Sequence, residues 1–404
     1  MSRPDQLFPY PRERVVDNAR HEMGLMPTRI VACLLPLWRI EVEATVTEGR
    51  PYELLDRFLE AAIADAGFDT VRELALFLSL DETLVDRVLR FLARTGHLVE
   101  SGGHYSLTAL GRRSVENGKR FEVIKADRRV LYFEALGSQP LTRIYYDSKT
   151  VTILGEFDAV RLLGQKSGVR FRRIGVPIGR AANALQDLMN RRDRDRFNLP
   201  EGIEDLRPLG SDRPAYLPVY LVRAEPSAGP ARYLAYTQAS AGHDPELSEV
   251  FEQHPYVRAH MEQLETEGLG GGDEQNIAAW AEFKDLGQRP DVRQVDRTWR
   301  VLLPEREFTR EGGLTISQIG QYKVSRNTVF QLWCASAHAR TRALLDRAAG
   351  YLGAARNPEP DLVEARLHQF ARQLEFEPMS LDSLAALAAN AGNHHLAGQL
   401  EELT

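Results

Sequence analysis

The stretch from Pro51 to Gly118 constrains the fold more than any other part of the chain, because its helix ends and turns are set by local chemistry. Pro51 to Ala66 is amphipathic, with Leu54, Leu55, Phe58, Leu59 and Ile63 at inward spacings. Thr70 and Glu73 have the Thr-x-x-Glu form of a capping box, in which hydroxyl and carboxylate satisfy helix-end amides reciprocally. A helix is therefore expected from there, carrying Val71, Leu74, Ala75 and Leu78 and breaking around Ser79 to Asp81. In the next periodic run Leu84, Val85, Val88, Leu89 and Leu92 share one face, and the run ends at Gly96. Two short β-compatible segments, His97–Glu100 and His104–Leu107, flank Ser101-Gly102-Gly103 as a hairpin requires. Thr108 can then cap a last helix through Leu110 and Val115.

Helix, helix, short turn, helix, hairpin and helix in that order resembles the winged helix-turn-helix domain of bacterial transcription regulators. The resemblance is carried by the Val71–Ser79 helix, by Asp81–Thr95 in the recognition position, by the Ser101-Gly102-Gly103 wing tip and by the Tyr105–Gly111 run that closes the wing. It is confined to residues 51–118. It implies a nucleic-acid-binding protein, acting as a regulator or as the DNA-recognition subunit of a bacterial system such as an anti-phage defence complex. Winged helices also bind proteins, so an interaction scaffold is the alternative. In the recognition position Thr83, Arg87, Arg90 and Arg94 are spaced by four, three and four, which puts a hydroxyl and three guanidinium groups on one outward stripe. Such a stripe can lie on phosphates or read guanine edges. A solvated face neutralised by Glu82 and Asp86 would have the same pattern.

Charge is unevenly distributed. The net value of -6 conceals -4 in residues 51–118 (7 Lys and Arg against 11 Asp and Glu) and +8 in residues 119–196 (17 against 9). A polyanion is attracted to such a basic block, and Arg170, Arg172 and Arg173 are its candidate phosphate contacts. A salt-bridged surface would give the same count.

A chain of 404 residues exceeds one ordinary core at about 100 to 200 residues per domain. With 43% hydrophobic and 27% charged residues its composition is that of a globular protein. Ile30 to Trp38, its most apolar stretch, is too short for a membrane span and contains Pro36. Cys33 and Cys334 are isolated and lack ligand spacing, and the first residues lack an apolar signal region, so a cytoplasmic protein without membrane contact is expected.

These signals predict a multidomain α+β protein: an arm and strand over 1–50, the winged helix over 51–118, a basic β-containing region over 119–197, and a C-terminal α+β region over 214–404 ending in helices. Met1 to Met26 reads as a polar arm, and Ile40 to Val46 as a strand with one wet face. Val130–Ala135 and Leu141–Thr152 read as a hairpin, Leu314–Gly320 as a strand, and Ala337–Leu352, Asp361–Phe376 and Leu381–Leu400 as helices broken at Asn357–Pro360 and Glu377–Pro378. Asn198–Arg213 and Gly268–Gly272 read as a linker and a flexible break that should open first to proteases.

Sequence signatures of catalysis are weak. Phosphate-loop, dinucleotide, nucleophile-elbow and zinc-protease motifs are missing, so no cofactor is expected and the reading leans away from an enzyme. Glu282-Phe283-Lys284 with Asp273 upstream, and Asp147-Ser148-Lys149, have the acid-x-Lys spacing of restriction-type nucleases. His338-Ala339-Arg340 ahead of Asp346 loosely resembles the His-x-Lys motif of phospholipase D-like phosphodiesterases. A nuclease or phosphodiesterase is thus the third functional class.

Overall fold

A single strand of 25 residues, β1 (Met26–Arg50), is the spine of the molecule. The computed structural model describes residues 7–165, 169–174, 179–199, 202–286, 289–354 and 359–403, leaving out the Lys125 side chain. The two halves of β1 differ because their surroundings differ. From Ile30 to Leu37 the alternate residues enter different cores. Ile30, Ala32 and Leu34 join one with the helices α1 (Arg12–Asp17) and α6 (Glu156–Leu163), while Val31, Cys33, Leu35 and Leu37 join another with α8 (Pro245–Gln253) and α9 (Pro255–Glu267). Coverage on both faces explains why this half reads as a continuous apolar run. Beyond Trp38 one face is wetter, and only Ile40, Val42, Ala44 and Val46 are buried, against α7 (Ala184–Asn190).

The architecture is α+β, with one mixed sheet of 12 strands among the described residues. Along β1, Met26–Arg39 pairs antiparallel with β8 (Arg213–Glu225), Ala32–Leu34 pairs parallel with β6 (Phe171–Arg173), and Leu37–Arg50 pairs antiparallel with β4 (Arg120–Glu134). The sheet continues through β14 (Thr328–Trp333) to β12 (Thr298–Leu302) and β11 (Asp291–Val295). Four C-terminal helices pack on that end: α11 (Ala337–Ala354), α12 (Pro360–Gln373), α13 (Leu381–Asn390) and α14 (His394–Glu401).

Several expectations are corrected. Phe8, Tyr10, Val15, Val16 and Ala19 of the expected arm are buried against the sheet, while its first six residues lie outside the described residues. The expected linker contains β7 (Ile203–Pro208), paired with Val42–Val46; its Pro200 and Glu201 are outside the described residues. Leu141–Thr152 holds a 3-10 turn at Arg143–Tyr146 in place of a hairpin strand, and Leu314–Gly320 holds another at Ile316–Gln318. The last expected helix divides at Gly392, whose φ is +79°. Asn357 and Pro358 of the helix break are outside the described residues. The sheet draws strands from 1–50, 119–197, the expected linker and 214–404, so compositional boundaries do not part its hydrogen bonds.

Gly268–Gly272 is no flexible break. It is a wide helical turn joining α9 to α10 (Asp273–Phe283), and a Cβ on Gly268 would lie 1.9 Å from Arg29 Nη2. Arg29, 1% exposed, pairs with Asp273 at 2.7 Å. Asp273 also accepts from Thr328 Oγ1 and Trp299 Nε1, both at 2.7 Å. This buried network locks β1, α10, β12 and β14 together.

Residues 51–118 form a body with its own core, built on Leu59, Leu74, Val85, Leu89, Leu92 and Tyr105. Its elements are α2 (Leu54–Ala61), α3 (Val71–Leu78), α4 (Glu82–Arg94), the hairpin β2 (Leu98–Ser101) and β3 (His104–Leu107), and α5 (Ala109–Asn117). Leu54 and Phe58, expected inside, are 69% and 51% exposed. The body joins the end of the β1–β4 ribbon through a fully buried His97. Its Nδ1 lies 2.6 Å from Glu60 Oε1 and its Nε2 lies 2.7 Å from the Phe121 carbonyl. Burial opposes charge on this ring, but the bonds to Glu60 and Phe121 outweigh it and hold its pKa above the ordinary histidine value. Arg120, paired with Asp56 at 3.0 Å, and the Ser114 hydroxyl, accepting from Phe121 N at 3.0 Å, complete the joint.

Candidate nucleic-acid interface

Helix α4 begins where Asp81 accepts from the amides of Thr83 and Leu84, at 2.9 and 3.2 Å. Val85, Leu89 and Leu92 are buried, which turns the opposite face to solvent. Thr83, Arg87, Arg90 and Arg94 are all exposed on that face, so the sequence spacing produces the expected stripe. Arg87 makes no hydrogen bond or ion pair with a described residue. Arg90 bonds Asp86 at 3.0 Å, and this fully exposed pair is easily exchanged for another anion. Arg94 lies over the Phe91 ring at 5.6 Å. Beside the stripe, the hairpin closes through Gly102 and Gly103 at φ +62° and +84°, the tight turn for which glycine is suited.

The basic block behaves differently from the expectation, because folding neutralises much of it. Arg120, Arg129, Arg161, Arg173, Arg180, Arg191 and Arg196 all pair with carboxylates. The candidate trio is also divided. Successive strand residues point to opposite faces. Arg173 stacks on Tyr216 at 4.8 Å and bonds Glu156 at 2.9 Å. Arg170 and Arg172 instead line a cleft of about 580 Å³ together with Arg12 and Arg326.

That cleft lies between the start of β1, the glycine turn and the β13 (Tyr322–Ser325) to β14 turn. Arg12 donates to the Arg326 carbonyl at 2.6 Å, and Arg326 donates to Asn276 Oδ1 at 3.1 Å. Arg170 and Arg172 have no such partner among the described residues. Glu267 and Asp273 are the acids of the lining, and Asp273 is already paired by Arg29. Burial pushes the His260 pKa down, and the nearby Arg172 pushes it further. Arg12 and Arg326 were missed by sequence reasoning, since each stands alone in its own segment and only the sheet brings them to Arg170 and Arg172.

No family model, curated protein or solved structure matches this chain.

The nuclease-like motifs are not assembled. Asp273 and Glu282 sit nine residues apart on α10, roughly 13 Å along the axis, too far to share an ion. Asp147 accepts from Thr150 Oγ1 at 2.7 Å and Lys149 N at 3.0 Å within its own turn, and those bonds lower its pKa. His338 faces Glu305 at 3.7 Å on the surface. Among the described residues no three His, Cys, Asp or Glu side chains gather as a metal site, and no helix is long and apolar enough to cross a membrane.

Proposed function

We propose that this chain binds nucleic acid, with α4 as the reading helix of a winged helix and the Arg170–Arg172 cleft as a separate phosphate contact, in a regulator or the DNA-recognition subunit of a bacterial complex. The observation that carries the reading is the exposed stripe of Thr83, Arg87, Arg90 and Arg94 opposite a buried apolar face. Guanidinium forks suit both phosphate oxygens and guanine edges.

The two surfaces lie far apart. Arg172 pairs with Cys33, whereas the α4 body is joined at Arg50, and 17 strand residues at about 3.3 Å span roughly 55 Å. A duplex meeting both must therefore be at least about 15 base pairs long. Fluorescence anisotropy with duplexes of about 10 and about 25 base pairs tests this. Arg172→Gln should weaken binding of the long duplex and leave the short one, held by α4, unchanged. Equal loss on both lengths would contradict the two-surface arrangement.

A second reading, a protein-interaction module, is favoured by the apolar surface of the same body. Leu76, Phe77, Leu84 and Val99 are 72%, 55%, 39% and 53% exposed. Apolar surface of that kind marks protein contacts, and such an interface would respond little to salt.

A further inference from the structure

A second basic cleft, unrelated to the first, lies between the helical turn Asn18–Glu22, the β11–β12 turn and the end of α12. Its volume of about 300 Å³ is at the small end of ligand pockets. Arg20, Arg300 and Arg372 line it. Arg300 is committed to Glu375 at 2.6 Å and Gln331 at 3.1 Å. Arg20 and Arg372, on separate walls, have no ion pair with a described residue, and Asp296 is the remaining acid of the lining.

The surroundings of these two arginines are short of negative charge. His21, also in the lining, has a buried Nε2 with no hydrogen-bond partner. Burial first, then Arg20, Arg372, Arg347 and Arg366, push its pKa down to about 4, so its ring is neutral at pH 7. Arg347 lies behind the cleft, 8% exposed, and donates only to neutral oxygens: the carbonyls of Ser317 and Ile319 and the side chain of Gln373. Gln373 in turn lines the cleft. The acid closest to this cluster is Asp17, one turn before His21. Its Oδ1 is buried without a partner, and burial pushes its pKa up to about 6 although Arg347, Arg366 and Lys323 pull the other way. Lys323 is itself lowered by burial, with Glu13 and Asp17 opposing. Five cations, Arg20, Lys323, Arg347, Arg366 and Arg372, thus surround two acids, Glu13 and Asp17. Buried charge of one sign is normally balanced by a partner.

We propose that this cleft binds a small phosphate-bearing molecule, with Arg20 and Arg372 holding phosphoryl oxygens from two walls and His21 Nε2–H donating to a third. A neutral imidazole can carry its proton on Nε2 and donate. Arginine forks match phosphate oxygens, and three donors from separate elements suit a tetrahedral group, whereas one fork already satisfies a carboxylate.

Isothermal titration calorimetry on the full chain at constant ionic strength, with inorganic phosphate, glycerol phosphate and acetate as probes, tests the site. Saturable binding of phosphate or its ester, without binding of acetate, is expected. Arg372→Gln and Arg20→Gln should each lower affinity about ten-fold or more, the usual loss for a charge-assisted bond. Arg372 is exposed and unpaired, so its variant should melt with the wild type. The double variant Arg170→Gln, Arg172→Gln should bind phosphate normally, which separates this cleft from the nucleic-acid reading. The proposal is overturned by absent phosphate binding, by equal acetate binding, by unchanged affinity in both single variants, or by loss of phosphate binding in the double variant.

Discussion

Replacing His97 by glutamine should loosen the α4 body from the sheet. The Phe121 carbonyl can only accept, so Nε2 carries a proton; Nδ1 faces the Glu60 carboxylate, which also accepts from Tyr52 at 2.5 Å, so Nδ1 donates as well. The ring is therefore an imidazolium inside a fully buried ion pair. Removing one partner of such a pair costs about 3 to 5 kcal/mol, because the other charge is left buried and unpaired. At the lower end the open form rises by about a hundred-fold, since each 1.4 kcal/mol is about a factor of ten. Hydrogen exchange of residues 54–117 reads this directly, with the C-terminal helices as internal reference. The pH dependence follows from the raised pKa. The folded state holds the proton more tightly than the unfolded state, so this contribution is fully present below the unfolded value of about 6.5 and is lost as pH rises through the folded value. Between about pH 6 and pH 9 the body should lose protection beyond the intrinsic exchange rate, and His97→Gln should abolish that dependence. Protection in the variant within about three-fold of the wild type, well below the hundred-fold expected, would refute the buried imidazolium.

Other substitutions probe the frame around the two clefts and α4. Gly268→Ala should destabilise the whole chain by about 3 kcal/mol or more in thermal melts, because a Cβ 1.9 Å from Arg29 Nη2 forces that guanidinium off Asp273. Asp81→Ala should cost about 1 kcal/mol in denaturant titration by removing the α4 cap, while Asp81→Ser should restore most of it. Limited proteolysis should spare Ile203–Pro208 and Gly268–Gly272, one hydrogen-bonded to β1 and the other helical over the buried Arg29.

What could be read from the sequence follows from how local its causes are. The Thr70–Glu73 capping box, the Asp81 cap, the Gly102–Gly103 turn and the Thr108 cap each act over a few residues, and all four occur in the structure. The α4 stripe needed only helical periodicity. The sheet depends on distant partners, with Ile30 pairing to Val222 and Val42 to Pro208, and no local pattern announces those registers. Asn198–Arg213 reads as a linker from its prolines and acids, yet the edge of β1 supplies the bonds that make part of it a strand. Charge was misleading for the same reason. Arg180 meets Asp212 and Arg196 meets Glu246, so a block at +8 is largely neutralised by acids outside it. Leu54 and Phe58 fit the apolar period of their helix but lie on the side that no other element covers.

A salt titration of nucleic-acid affinity, on the wild type and two variants of retained fold, tests the central claim most directly. Log affinity of the wild type for duplex should fall linearly with log salt, with a slope of about -0.9 per phosphate contact. Charge reversal of Arg87 and Arg90 should weaken binding roughly five- to hundred-fold and relax sequence preference. Neutralising Arg170 and Arg172 should weaken all long sequences alike and reduce the slope by about 1.8. If the wild type has no affinity for duplex or single-stranded nucleic acid even at low salt, the nucleic-acid reading is contradicted and the apolar face around Leu76 and Phe77 becomes the surface to pursue.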